Sequence, residues 1–263
     1  MNQITVFKIG GNIIDHPAAL TRFLTAFSGL SGHKVLVHGG GKIATQIAEK
    51  LDVPTTMVEG RRITDKPMLD VVTMVYGGLV NKQLVAQLQS LGVNAIGLTG
   101  ADAGLVRASK RPVGTIDYGF VGDIQAVDSG RLQSFISQGL VPVFAPLTFD
   151  PTAPGTLLNT NADTMAQALA VDLTGHNDVT LVYCFEKRGV LANPNDDNSV
   201  ISRLIPSVYA EHKADGTINK GMIPKLDNAF TALETGVKGV IICHADEVCA
   251  ALAGEAGTMI KMG

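Results

Sequence analysis

Five short motifs carry residue types that could handle a phosphate or a carboxylate. Lys8-Ile9-Gly10-Gly11 sets a cation at the end of a β-rich run, beside a tight turn whose exposed amides can bind phosphate oxygens. His38-Gly39-Gly40-Gly41 puts three glycines between a strand-like and a helix-like run, so backbone can approach a ligand and offer free N–H donors. Arg62, in Gly60-Arg61-Arg62-Ile63-Thr64, can grip a carboxylate through two parallel N–H···O bonds. Asn159-Thr160-Asn161-Ala162-Asp163 holds more polar side chains than one helix start can use as caps, and Asn159 and Asp163 share a face if the helix begins there. Lys220-Gly221-Met222-Ile223-Pro224-Lys225 brings Lys225 into the first turn of an amphipathic run, where the helix dipole disfavours a cation.

Each motif also has a purely structural reading: a surface lysine before a turn, a plain glycine loop, adjacent arginines as surface charge, Asx residues as caps. His38 fits a packing or hydrogen-bonding residue better than a base or ligand. Gly39, Gly41 and Ala44 satisfy the loose G-x-G-x-x-G/A pattern, which leaves a dinucleotide-binding oxidoreductase open, with Lys42 and the later motifs weighing against it. The P-loop pattern is absent, so any nucleotide is held by another device.

The elements around these motifs alternate between strand and helix. ITVFKIGG, KVLVHGGG, VNAIGL, VPVFAPL, VTLVYC and VKGVIIC read as strands. Between them, Leu20–Leu30, Ile43–Leu51, RLQSFISQG, NADTMAQALAVDL and KLDNAFTALETG follow helical spacing, with Asp15 and Pro17 expected to start the first helix. Such alternation argues for an α/β fold with a mainly parallel sheet covered on both faces. Residues 105–125 read as hairpins projecting from it, and residues 192–203 as a polar surface loop. No linker divides the chain, so one domain with two lobes meeting near residues 160–180 is expected.

Of 263 residues, 46% are hydrophobic, enough for a sizeable core. The net charge of -3 and the lack of a Lys/Arg cluster argue against a nucleic-acid partner. Cys184, Cys243 and Cys249 fit no disulfide or zinc spacing and are expected as reduced thiols in a cytoplasmic protein. No secretory signal is evident. The longest apolar stretch, Pro67 to Leu88, contains Asp70, Asn81 and Lys82, which makes it a poor membrane span.

In order, the motifs KxGG, HGGG, GxRxT, NxNAD and GMxxK resemble the amino acid kinase superfamily over essentially the whole chain, and most specifically the acetylglutamate kinases. The resemblance implies a three-layer αβα sandwich, residues 1–263 forming a single domain with an acylglutamate lobe over about 1–170 and an ATP lobe over about 171–263. It implies ATP-dependent phosphorylation of the γ-carboxylate of N-acetyl-L-glutamate, or another N-acyl-L-glutamate, in arginine biosynthesis. Magnesium would be carried by ATP, with no metal site of the protein's own. Lys8 and Lys225 would be transition-state lysines and Asp163 their organiser. Gly40, Gly41, Arg62 and Asn159 would bind the acylglutamate, and Gly10 and Gly11 would face the ATP phosphates. Two departures stand out. Glu186, in Phe185-Glu186-Lys187-Arg188-Gly189-Val190, takes the place of an aspartate in a nucleotide-contacting turn. Lys220 replaces a smaller or acidic residue. Another carboxylate or carbamate kinase of the same fold stays open; a non-catalytic sensor would not need both lysines.

The reaction explains the cations. A glutamate side chain, with an ordinary pKa near ~4.3, is ionised at neutral pH and needs no general base. The obstacle is bringing two anions together, which positioned lysines and amides offset. Two ammonium groups repel, and Asp163 between them would relieve that. The resemblance further implies a two-fold homodimer through the helix in residues 67–88, with Val71, Val72, Val75, Leu79 and Val80 available to bury. With the first strand starting at about Ile4, the N-terminal helix that forms hexameric rings in arginine-inhibited relatives has no room, so no inhibition by arginine is expected.

Overall fold

A computed structural model describes residues 2–58, 60–175, 177–218 and 222–263; for Pro224 only the backbone is described. Lys220 therefore lies outside the described residues. The β-branched and aromatic run Asn2–Ile9 forms β1, starting slightly earlier than expected. Gly10 and Gly11 end it, and a single turn, α1 (Gly11–Ile14), leads to α2 (Pro17–Gly29). Pro17 is first in α2 and His16 is its N-cap; Asp15 closes α1 instead of starting α2.

Strand β2 (His33–His38) and α3 (Gly41–Lys50) repeat the strand–glycine–helix unit. A hairpin of β3 (Met57–Val58) and β4 (Arg61–Arg62) precedes one long helix. That helix runs as α4 (Lys66–Val72), a π-helical stretch (Thr73–Val80) and α5 (Asn81–Ser90). The chain continues through β5 (Ala95–Leu98), β6 (Val106–Lys110), β7 (Gly122–Val127), α6 (Ser129–Ser137), β8 (Val141–Phe144), β9 (Leu147–Phe149) and β10 (Leu157–Asn159). It ends through α7 (Ala162–Leu173), β11 (Asn177–Phe185), β12 (Arg203–Leu204), α8 (Pro206–Ala214), α9 (Ile223–Glu234), β13 (Gly239–His244), α10 (Val248–Leu252) and β14 (Thr258–Ile260).

Eight strands form the central sheet in the order β12-β14-β13-β11-β1-β2-β8-β5. Every neighbouring pair is parallel except β13 and β14. Strand alternation builds two cores. Ile4, Val6, Leu181 and Ile242 point to α6, α7 and α9, whereas Phe7, Ile9, Val182 and Ile241 point to α2, α3 and the long helix. The result is the expected three-layer α/β sandwich, with β1 in the middle of the sheet between β11 and β2. Residues 105–125 do form a hairpin, β6 and β7, within a second sheet ordered β10-β9-β6-β7.

The long helix holds a correction. Val71, Val72, Val75 and Val80 are buried in the core of a single chain, and of the expected interface residues only Leu79 is exposed, with Met74 beside it. No described helix is long and apolar enough to cross a membrane, and all three cysteines are free thiols.

Candidate active site

Alternation along β1 sends Lys8 to the same face as Ile4 and Val6, the face that α7 covers. Asn161 is the N-cap of α7, accepting from the amides of Asp163 at 2.8 Å and Thr164 at 3.0 Å. Asp163 thus stands in the first turn, where the helix dipole favours an anion. Lys8 Nζ lies 2.7 Å from Asp163 Oδ1, and Lys225 Nζ, from the first turn of α9, lies 3.4 Å from Oδ2. One carboxylate therefore bridges two ammonium groups from elements far apart in sequence. Burial alone would push the Asp163 carboxyl up, but the adjacent charges of Lys8 and Lys225 outweigh it and hold the group below the usual range. The ring of Phe185, at the end of β11, lies 5.4 Å from Lys8 Nζ and 4.0 Å from Lys225 Nζ, a cation–π contact with both.

A cavity of about 220 Å³ opens beside this cluster and brings together Gly40, Gly41, Arg62 and Asn159. Gly40 adopts a φ of +149°, and a Cβ there would meet the Tyr76 ring at 3.1 Å, so only glycine fits. Arg62 is buried and donates to Gly41 O at 2.8 Å, Thr45 Oγ1 at 2.9 Å and Thr55 Oγ1 at 3.3 Å. Asn159 donates to Thr64 Oγ1 at 2.9 Å. It ends β10 and the helix starts only at Ala162, so Asn159 and Asp163 do not share a helix face; a strand and a helix turn converge instead. A second cavity, of about 230 Å³, is lined by Phe185, Glu186, Leu191, Met222 and Lys225. Gly10 and Gly11 lie close to the cluster and to the glycine turn: a Cβ on Gly10 would be 3.9 Å from Lys8 Nζ, and one on Gly11 4.0 Å from Gly41 N.

Residues 3–244 match the amino acid kinase family. The chain belongs to this family. It is 57% identical over 249 residues to a protein of Cytophaga hutchinsonii named acetylglutamate kinase, covering 94% of each chain. It is 54% identical to the acetylglutamate kinase of Bacteroides thetaiotaomicron, covering 98% of each. Among solved structures it resembles smu.665 from Streptococcus mutans UA159, with a TM-score of 0.78, 26% identity and 99% of each chain covered. Membership removes the oxidoreductase alternative raised by Gly39, Gly41 and Ala44.

Within this amino acid kinase architecture, some functional contacts escape sequence reasoning. Phe185 appears there only as a member of a turn; its place under both lysines depends on β11 pairing with β1, where Lys8 is opposite Tyr183. Arg111 and Asp123, ion-paired at 2.5 Å, line the first cavity from the β6–β7 hairpin, and Tyr76 lines it from the long helix. Residues 111–123 gave a hairpin signal and nothing chemical. Glu186 is exposed at the mouth of the second cavity. Its neighbours turn sideways: Lys187 pairs with Asp197 at 2.8 Å and Arg188 with Glu247 at 2.8 Å. His38 is buried and hydrogen-bonded, as its sequence setting suggests.

Proposed function

We propose that this chain transfers the γ-phosphoryl group of ATP to the γ-carboxylate of N-acetyl-L-glutamate, a step in arginine biosynthesis. The Lys8–Asp163–Lys225 cluster between two cavities carries this reading. The cavity of Gly40, Gly41, Arg62 and Asn159 suits the acylglutamate: Arg62 sets a positioned positive charge in its wall, and glycine amides can take anionic oxygens. The cavity beside Phe185 and Glu186 suits the nucleotide, with Gly10 and Gly11 toward its phosphates. The division into lobes over about 1–170 and 171–263 follows the same assignment.

The acceptor carboxylate arrives ionised, so no residue need take a proton from it. Lys8 and Lys225 offset the repulsion between carboxylate and triphosphate and stabilise charge on the equatorial oxygens in transfer. Asp163, kept ionised by both, holds two like charges at one point. Magnesium would enter bound to the triphosphate. A cytoplasmic homodimer is part of the proposal, with Leu79 and Met74 on the long helix as its exposed apolar contacts.

Hydroxylamine trapping tests the reading: purified protein with ATP, magnesium and N-acetyl-L-glutamate should yield a hydroxamate. No hydroxamate, or equal yield with carbamate or aspartate, sinks it. Parallel kinetics with N-succinyl-L-glutamate decide the acyl group.

A further inference from the structure

His38 and Asn81 are buried together beneath the glycine turn, and the chemistry above uses neither. Their hydrogen bonds fix one another. Val143 O can only accept, and it takes a bond from Asn81 Nδ2 at 2.9 Å. Lys82 Nζ can only donate, and it reaches Asn81 Oδ1 at 3.0 Å. These partners decide which end of the amide is nitrogen. The second hydrogen on Nδ2 then faces His38 Nε2, 3.1 Å away, so Nε2 must accept. The ring proton is therefore on Nδ1, which donates to Gly39 O at 2.7 Å. Burial pushes His38 down to about 4, against the bond to Gly39, and Lys82, the charged group acting on the ring, adds to the depression.

The consequence lies at the next peptide. In a trans peptide the C=O and N–H point in opposite directions, and no described peptide is cis. With Gly39 O drawn toward His38, the Gly40 N–H points away from the ring, and Gly40 itself lines the first cavity. Among the described residues, neither the Gly40 nor the Gly41 amide has an acceptor within the protein.

The π-helical stretch supplies the alignment. The Asn81 N–H bonds Tyr76 O, five residues back. Residues five apart in an α-helix point about 140° apart, whereas an i→i+5 turn brings them near one line. Tyr76 and Asn81 thereby reach the glycine turn together, one packing on Gly40 and the other holding His38. We propose that Asn81 is a positioning residue: through His38 it locks the Gly39–Gly40 peptide so that the Gly40 N–H is aimed at the anionic oxygen that gains charge in phosphoryl transfer. The relay rests on geometry; the identity of the anion rests on the kinase reading.

Nitrogen-15 NMR of the His38 ring in the wild-type protein tests the relay without any assay. A neutral ring with its proton on Nδ1 is expected between about pH 6 and 8, and a proton on Nε2 overturns the proposal. Hydroxamate kinetics then compare wild type, Asn81→Ala and Asn81→Asp. An inactive wild type sinks the kinase reading and leaves the tautomer to judge the relay. Asn81→Ala should lower kcat roughly 10²-fold with both KM values within about threefold, the pattern of a misaimed transition-state donor. An unchanged kcat, or a loss confined to Tm, overturns the positioning role. In Asn81→Asp the ionised carboxylate offers Nε2 no donor, so the ring keeps its bond to Gly39 only once a proton is added to the pair, on the ring or on the carboxyl. Its kcat relative to wild type should rise as pH falls from about 8 to about 6, and a flat ratio counts against the relay. Because a carboxylate facing Val143 O could prevent folding, the tautomer and Asn81→Ala decide in that event.

Discussion

The two cavities beside the lysine cluster are held by different kinds of contact. In the first cavity buried Arg62 meets three oxygen acceptors, and beneath the glycine turn of that cavity His38 and Asn81 close a set of bonds. The second cavity is edged by an exposed turn whose charges pair outward, Lys187 with Asp197 and Arg188 with Glu247. Exposed pairs of that kind contribute about 0–1 kcal/mol each, so the turn can rearrange at small cost. The contrast teaches that, on the proposed assignment, the acceptor meets a preorganised surface and the nucleotide an adjustable one. The lysine cluster joins the two: Lys225 lines the second cavity, and Asp163 stands among Asn161, Ala162 and Thr164, which line the first.

Breaking the shared element should have the largest effect. Lys8→Ala and Lys225→Ala are each expected to lower kcat by roughly 10²–10³, with far smaller changes in either KM, as steady-state kinetics would record. A near wild-type kcat removes that lysine from the transition state. Next comes the rigid wall. Arg62→Lys keeps the charge and loses the fork, so the KM for acylglutamate should rise roughly 10-fold or more while that for ATP stays put. A selective rise in the KM for ATP would reverse the assignment of the two cavities.

The buried histidine gives the rigid side a pH signature. Unfolded, His38 takes up a proton below about 6.5; folded, it resists until about 4. The unfolded state binds more protons across that window, so stability is fully present above it and declines as pH falls through it. The full loss is on the order of 3 kcal/mol. Urea unfolding from neutral to acid pH should show that decline in wild type and a flatter curve in His38→Asn; parallel curves would mean the ring is not buried neutral. The smallest effect is expected at the adjustable edge, where Glu186→Ala should raise the KM for ATP by less than about threefold, since its carboxylate is exposed and the turn keeps both outward pairs. A tenfold rise would make the two cavities more alike than their contacts suggest.

The sequence exposes the strands, the helices and the order of the motifs, because alternation and helical spacing are local. Lys8, Asp163 and Lys225 were legible as members of motifs, and their meeting was implied by resemblance. Contacts set by strand register were not legible. Phe185 reaches both lysines because β11 runs beside β1, and no local pattern encodes that. The π-helical stretch was hidden by its own composition: Thr73–Val80 is apolar on all sides, so periodicity cannot separate an i→i+5 turn from an α-helical one. The same uniformity made Val71, Val72, Val75 and Val80 look available for a partner, although they fill the core. Asp15 was misplaced because Pro17 already sets the helix start, with His16 before it.

Strand β1 precedes the other described strands in the chain and sits in the middle of the sheet. Its early neighbour, β2, follows within a few dozen residues, but its other edge waits for β11, which pairs Asn177 with Asn2. Until Val179–Cys184 have been synthesised, a nascent chain carries ITVFKI with one row of backbone groups unmatched. That exposed edge can be taken by a strand from another chain, and closing so long a loop is slow. Lys8, the partner of Asp163 in the lysine cluster, thus rides on the segment most at risk of mispairing during synthesis, and the cluster can assemble only after that edge is sealed.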